Sequence, residues 1–219
     1  MKIAILGYGK MGRAIEKIAL KKGHQIVLKT DSKNPAEQAD FSTINVAIDF
    51  STPDTAFANI SAALNNAIPV ISGTTAWLKR LSEAEDLAMK NNTAFLHASN
   101  FSIGVNLFFE LNKKLAEIME SQDQYTPSIK EIHHTHKIDR PSGTAITLSE
   151  GLSQRAIINS ERIGEVPGTH IINYKSDIDN IEIKHEAHNR KGFAIGAILA
   201  AEWIETKKGV FRMSDVLGL

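Results

Sequence analysis

The chain contains no cysteine, and that absence removes disulfides, cysteine-ligated zinc and thiolate nucleophiles from its chemistry, although it does not by itself fix the redox compartment. It also lacks net charge, with 25 Lys and Arg against 25 Asp and Glu. There is no broad positive field to hold a phosphate backbone, so nucleic acid is not an expected partner. Long apolar runs are missing too. Residues 1–7 are too few and too quickly broken by glycine for a signal peptide or membrane span, and no later run is long enough. A cytoplasmic protein with no membrane partner is expected. Its chemistry must use His, Lys, carboxylates, hydroxyls or a cofactor.

What is present is a chain of 219 residues, 42% hydrophobic, enough for one large domain or two smaller ones. Residues 2–7 read as a buried strand ending at a glycine turn, after which Met11, Ala14, Ile15, Ile18 and Ala19 recur at helical spacing as far as Gly23. Short apolar runs follow at 25–29, 46–50, 69–72 and 94–98, with helical stretches at 55–65 and 78–91; the weakly patterned segment 36–44 predicts a crossover without a full helix. Strands alternating with helices give the expected fold class: α/β, a Rossmann-type doubly wound parallel sheet, followed by a second α+β domain with a mixed or antiparallel sheet. The pattern changes near Gly104. Beyond it the spacing predicts a helix over 105–120 with Leu107, Phe108, Leu111, Leu115 and Ile118 along one stripe, a strand at 128–134 and a helix over 144–157. Strands at 169–174 and 180–188 and a helix over 193–206 complete this half. The expected domains are 1–103 for dinucleotide binding, with 208–219 packing back on it, and 104–207 for substrate binding and oligomerisation.

Gly7-Tyr8-Gly9-Lys10-Met11-Gly12 fits GxGxxG where that pattern carries meaning, after a strand and opening a helix. About 20 residues past the last glycine stands Asp31, where a carboxylate meets the adenosine ribose in such folds, and Lys33 follows as a cation suited to a 2′-phosphate. The pair is compatible with NADH and NADPH alike; Asp31 would equally serve as a turn residue. Later strands end in small polar loops, Asp49-Phe50-Ser51-Thr52, Ser72-Gly73-Thr74-Thr75 and Ser99-Asn100-Phe101-Ser102, at the sheet edge where ligands sit; each could also be a plain helix N-cap.

The most specific stretch is Glu131-Ile-His133-His134-Thr-His136-Lys137-Ile-Asp-Arg-Pro-Ser142-Gly143-Thr144. As a strand it places 129, 131, 133 and 135 on one face. Ser142-Gly143-Thr144 opens a helical pattern, whose free N–H groups and hydroxyls suit a carboxylate. His133, His134 and His136 could hold a metal, but their spacing matches no standard motif, so none is expected.

This segment, with its H-H-x-H-K followed by P-S-G-T, is similar to the signature of dihydrodipicolinate reductases. The glycine loop, Asp49-Phe50-Ser51, Gly73-Thr74-Thr75 and 100–106 resemble that family's other blocks in the same order, over essentially the whole chain. Many members have a longer glycine loop and an arginine where this chain carries Lys33 or Thr52. The resemblance implies reduction of a cyclic imine dicarboxylate by NADH or NADPH, giving tetrahydrodipicolinate for lysine biosynthesis through diaminopimelate, in a homotetramer. It implies His133 as proton donor or acceptor, Lys137 as second donor, His134 as a substrate contact, and Gly143 with Thr144 as the carboxylate cradle. Cofactor contacts would come from Gly7 to Gly12, Asp31, Lys33, Gly73 to Thr75 and Ser99 to Ser102. Another two-domain dehydrogenase of amino or keto acids would share the first domain but have no use for the histidine signature. A non-catalytic NAD-sensing module would show no turnover.

Overall fold

The computed structural model describes all 219 residues and divides into two compact units, Met1–Ser102 with Phe193–Leu219, and Ile103–Gly192. The first unit begins β1 (Lys2–Leu6), α1 (Lys10–Lys21), β2 (Gln25–Thr30), β3 (Val46–Asp49), α2 (Pro53–Asn65), β4 (Val70–Ser72), α3 (Leu81–Lys90) and β5 (Ala94–His97). These strands pair in parallel in the order β5-β4-β3-β1-β2. Covered on both faces, β1, β3, β4 and β5 are buried at nearly every position, which is why they read as apolar runs and not as alternation. Ile3 and Ile5 pack with Ile15 and Ala19 of α1, while Ala4 and Leu6 meet Ile60 and Leu64 of α2 and Ala84 and Ala88 of α3. Between β2 and β3 only a single 3-10 turn at Ala36–Gln38 forms, in line with the weak pattern there.

The second unit contains α4 (Ile103–Met119), β6 (Thr126–His133), α5 (Gly143–Glu150), β7 (Ile157–Arg162), β8 (Thr169–Lys175) and β9 (Asn180–Glu186). Its sheet is mixed, in the order β7-β6-β8-β9, with β6 and β7 parallel and the other pairs antiparallel. Two expectations fail here. The helix expected over 144–157 stops at Glu150, with Gly151 as its C-cap, and Ile157 opens β7, a strand hidden by its adjacent isoleucines and its pairing with distant β6. The expected stripe of α4 is also misplaced. Leu107, Leu111 and Ile118 are exposed, and the buried face runs through Val105, Phe108, Phe109, Asn112, Ala116 and Met119 toward Ile129, Ile172 and Tyr174 of the sheet.

The chain then returns to the first unit through α6 (Lys191–Ile204), β10 (Gly209–Phe211) and α7 (Met213–Leu217). β10 adds in parallel to β5, so the sheet has six strands, and residues 208–219 lie in the first unit. The helix α6, expected within the second domain of 104–207, belongs from Phe193 onward to the first unit. Ala194, Ala197, Ile198 and Ala201 pack in the same core as Ile3 and Ile48, and Gly196 is so close to the chain that a Cβ would stand 1.7 Å from the Phe101 carbonyl oxygen. A helix apolar nearly all round is the expected occupant of such a core.

One buried carboxylate ties the strand ends together. Asp49, the last residue of β3 and wholly buried, accepts hydrogen bonds from Ser51 Oγ (2.6 Å), Ser72 Oγ (2.8 Å) and Thr74 Oγ1 (2.7 Å). Burial pushes its pKa up against the opposing effect of those donors. Asp49→Ala should leave these hydroxyls without their acceptor and lower unfolding stability by about 2–4 kcal/mol, with Asp49→Asn losing less. Urea unfolding measures this; a loss under about 0.5 kcal/mol for the alanine variant would contradict it.

Candidate active site

At the carboxyl edge of the parallel sheet, β1 and β3 are neighbours whose following connections leave in opposite directions, the switch point where such sheets bind ligands. The glycine loop sits there. Gly7 has φ +96°, and a Cβ on it would meet the Phe50 carbonyl at 2.4 Å; one on Gly12 would meet the Gly7 carbonyl at 2.6 Å. At Gly9 a Cβ would find nothing within 4 Å, so that side of the loop is open. Gly9 is the N-cap of α1, and no side chain caps the helix, which leaves first-turn N–H groups for an anion. These features fit a dinucleotide pyrophosphate. Lys10 is exposed and Met11 packs on the core. Tyr8 donates its hydroxyl to Glu16, and its ring lies beneath Lys29 and Arg13, 4.6 and 5.6 Å from the centroid.

Asp31 is exposed, and its Oδ1 accepts the backbone N–H groups of Lys33 (2.9 Å) and Asn34 (3.0 Å), which hold its pKa below the ordinary value. It therefore caps its own turn and stays ionised beside the exposed Lys33. The other strand-end loops separate by burial. Thr75 and Ser99 are exposed, Gly73 and Asn100 half-buried, and Thr74 and Ser102 buried. The Phe101 ring is in the core, 5.6 Å from the ring of Phe50.

In the second unit β6 ends at His133, and the chain turns, with Lys137 N–H donating to the His134 carbonyl. The three histidines of the segment diverge. His133 points inward to His170 (Nε2 to Nε2, 3.3 Å), His134 Nε2 lies 3.2 Å from Arg190, and exposed His136 lies 3.4 Å from Glu165. The Lys137 ammonium donates to both oxygens of Asp139, at 2.7 and 2.8 Å. Ser142 caps α5 by accepting Ala145 N–H at 3.1 Å, so half-buried Gly143 and buried Thr144 form its first turn.

The centre of this unit is Glu131, whose side chain is 0% exposed. Its Oε1 accepts from Ser142 N–H (3.1 Å) and Arg162 (3.2 Å), and its Oε2 lies 3.4 Å from His133 Nε2 and 3.9 Å from His170 Nε2. Burial works to raise its pKa, but hydrogen bonds from His133, Ser142 and Ser160 outweigh burial and hold it far below the usual carboxylate range. His170 is driven to its neutral form instead: burial, reinforced by His133, pushes its pKa down to about 3. The ligand atoms of Glu131, His133 and His170 lie within 4.8 Å of one another, close enough to share a cation, but Arg162 and the Ser142 N–H already compensate the carboxylate. Sequence reasoning assigned no role to Glu131, Arg162 or His170. Only the two-residue spacing of Glu131 and His133 along one strand face pointed that way.

Comparison with known proteins accounts for both halves. Residues 1–101 match the family model described as dihydrodipicolinate reductase, N-terminus, and residues 104–217 the one described as dihydrodipicolinate reductase, C-terminus. The 4-hydroxy-tetrahydrodipicolinate reductase of Christiangramia forsetii is 46% identical, covering 99% of this chain and 98% of its own length; that of Thermosipho africanus is 37% identical at the same coverage. Among solved structures, dipicolinate-bound dihydrodipicolinate reductase from Paenisporosarcina sp. TG-14 shares the fold, with a TM-score of 0.76 at 21% identity and 97% of each chain covered. With both family models matched in order and the histidine segment built into the second unit, the chain belongs to the dihydrodipicolinate reductase family.

Proposed function

We propose that the chain catalyses the NAD(P)H-dependent reduction that yields tetrahydrodipicolinate from 4-hydroxy-tetrahydrodipicolinate, whose 4-hydroxyl leaves as water to give the unsaturated cyclic imine that accepts the hydride. The observation that carries this reading is the segment from His133 to Thr144, organised around one buried carboxylate in a chain whose two halves match the reductase family in order. When bound, the reduced nicotinamide supplies the hydride. Gly7 to Gly12 and the loops after β2, β4 and β5 hold that cofactor, with Asp31 toward the ribose and Lys33 toward a 2′-phosphate. His133 supplies the proton that completes the reduction, and Lys137 acts as second donor. Gly143 and Thr144, opening α5, receive one substrate carboxylate, and His134 contacts the substrate. Lys137 is held by an exposed partner, Asp139, which a dianionic substrate can replace by offering its own carboxylate to the ammonium. A cytoplasmic homotetramer completes the reading, assembled through the mixed sheet, on which Ile157 and Ile181 are exposed. No helix is long and apolar enough to cross a membrane.

Supplied with the condensation product of pyruvate and aspartate semialdehyde, the protein should oxidise NADH and NADPH in steady turnover, followed by nicotinamide absorbance. Asp31→Ala should weaken NADH more than NADPH. No oxidation of either cofactor would overturn the reading, and rejection of one by more than about a thousandfold, roughly 4 kcal/mol, would overturn dual use.

Proton delivery and binding should separate in steady-state kinetics. His133→Ala and Lys137→Ala should lower kcat about a hundredfold to ten-thousandfold, with KM changing less for His133. Thr144→Val removes a hydroxyl from an anion bound alike in ground and transition states, so it should act mainly on KM. His133→Ala with near wild-type kcat and only KM raised would make His133 a binding residue.

A further inference from the structure

Glu131 and His133 leave β6 on the same face, and the antiparallel register sets His170 of β8 opposite Glu131. The His133 ring is therefore gripped at one corner: its Nε2 meets His170 Nε2 at 3.3 Å and Glu131 Oε2 at 3.4 Å. Its other nitrogen, Nδ1, is not the atom that these two partners contact. What borders it is Gly168, where a Cβ would stand 3.3 Å from Nδ1 and 3.0 Å from Cε1, so the glycine keeps that side of the ring clear. The whole ring is 10% exposed, which leaves little freedom to turn over.

We propose that Glu131 is a positioning residue for proton delivery: with His170 it anchors Nε2 of His133 so that Nδ1–H is the proton presented to the substrate. The proposal rests on the reading of His133 as proton donor. When the proton leaves Nδ1 for the substrate, the imidazolium becomes a neutral imidazole still holding its Nε2 proton against Glu131, and solvent restores the Nδ1 proton. The groups facing the ring are Glu131 on β6, Arg162 on β7 beside His133 in the parallel register, and His170 on β8, with His185 of β9 behind His170 and Lys137 in the following turn. Of these, Glu131 is the sole anion. Arg162 already takes its Oε1, which leaves Oε2 to the imidazoles. His170, kept neutral by burial, adds no positive charge next to the imidazolium.

A carboxylate oxygen can only accept, so Glu131 selects the form of the His133 ring that carries a proton on Nε2. Glu131→Gln keeps the shape and the acceptor oxygen but removes the charge. It should lower kcat at pH 7.5 about 10- to 100-fold while leaving KM within about threefold. An unchanged kcat per folded molecule, with only a smaller active fraction, would make Glu131 structural and overturn the proposal. A measurement on the wild-type protein does not depend on the variant folding. With 15N-labelled histidine, the neutral His133 ring should carry its proton on Nε2, and a predominant Nδ1–H tautomer would overturn the proposal. Loss of the underlying reading is distinguishable, because His133→Ala would then retain kcat whatever the tautomer.

Discussion

An ionised carboxylate at a position with no exposure must be compensated locally, and Glu131 is that constraint for the second unit. Each of its partners comes from a different piece of chain: His133 two residues along β6, Arg162 on β7, His170 on β8 and the Ser142 N–H at the start of α5. Satisfying one charge thus fixes the register of three strands and the entry of a helix together. Arg162 extends the same contact outward, donating to the carbonyls of Lys137 and Asp139 and so holding the turn that carries the proposed second donor. Removing one partner of a buried pair of this kind costs about 3–5 kcal/mol, which makes the arrangement rigid as well as charged.

The first unit meets the same problem differently. Asp49 is equally buried, yet its donors are the neutral hydroxyls of Ser51, Ser72 and Thr74, and burial pushes its pKa up where that of Glu131 is driven down. The difference follows from what each carboxylate does. Asp49 ties the ends of β3 and β4, whereas Glu131 stands next to the guanidinium of Arg162 and the imidazoles of His133 and His170.

Local patterns made much of this legible. The buried run of β1, the glycines of the loop, the strand-end clusters and the short crossover after β2 are properties of a few adjacent residues. What escaped depends on distant partners. β7 exists because β6 is there to pair with it, and α4 turns Leu107 and Leu111 outward because Ile129 and Ile172 lie opposite its other face. α6 joins the first unit because Gly196 fits against Phe101, which no periodicity reveals. The His133 segment stood out by composition, but the groups behind it, His170 and Arg162, became its partners only through the register of β8 and β7.

Hydride and proton have separate origins in this account, and isotopic labelling reads them directly. With a cofactor deuterated at the transferable position of nicotinamide C4, turnover of the condensation product in ordinary water should give tetrahydrodipicolinate one mass unit heavier, the remaining hydrogen coming from solvent through His133. Cofactor oxidation with an unlabelled product, or consumption of substrate without cofactor oxidation, would contradict reduction by direct hydride transfer.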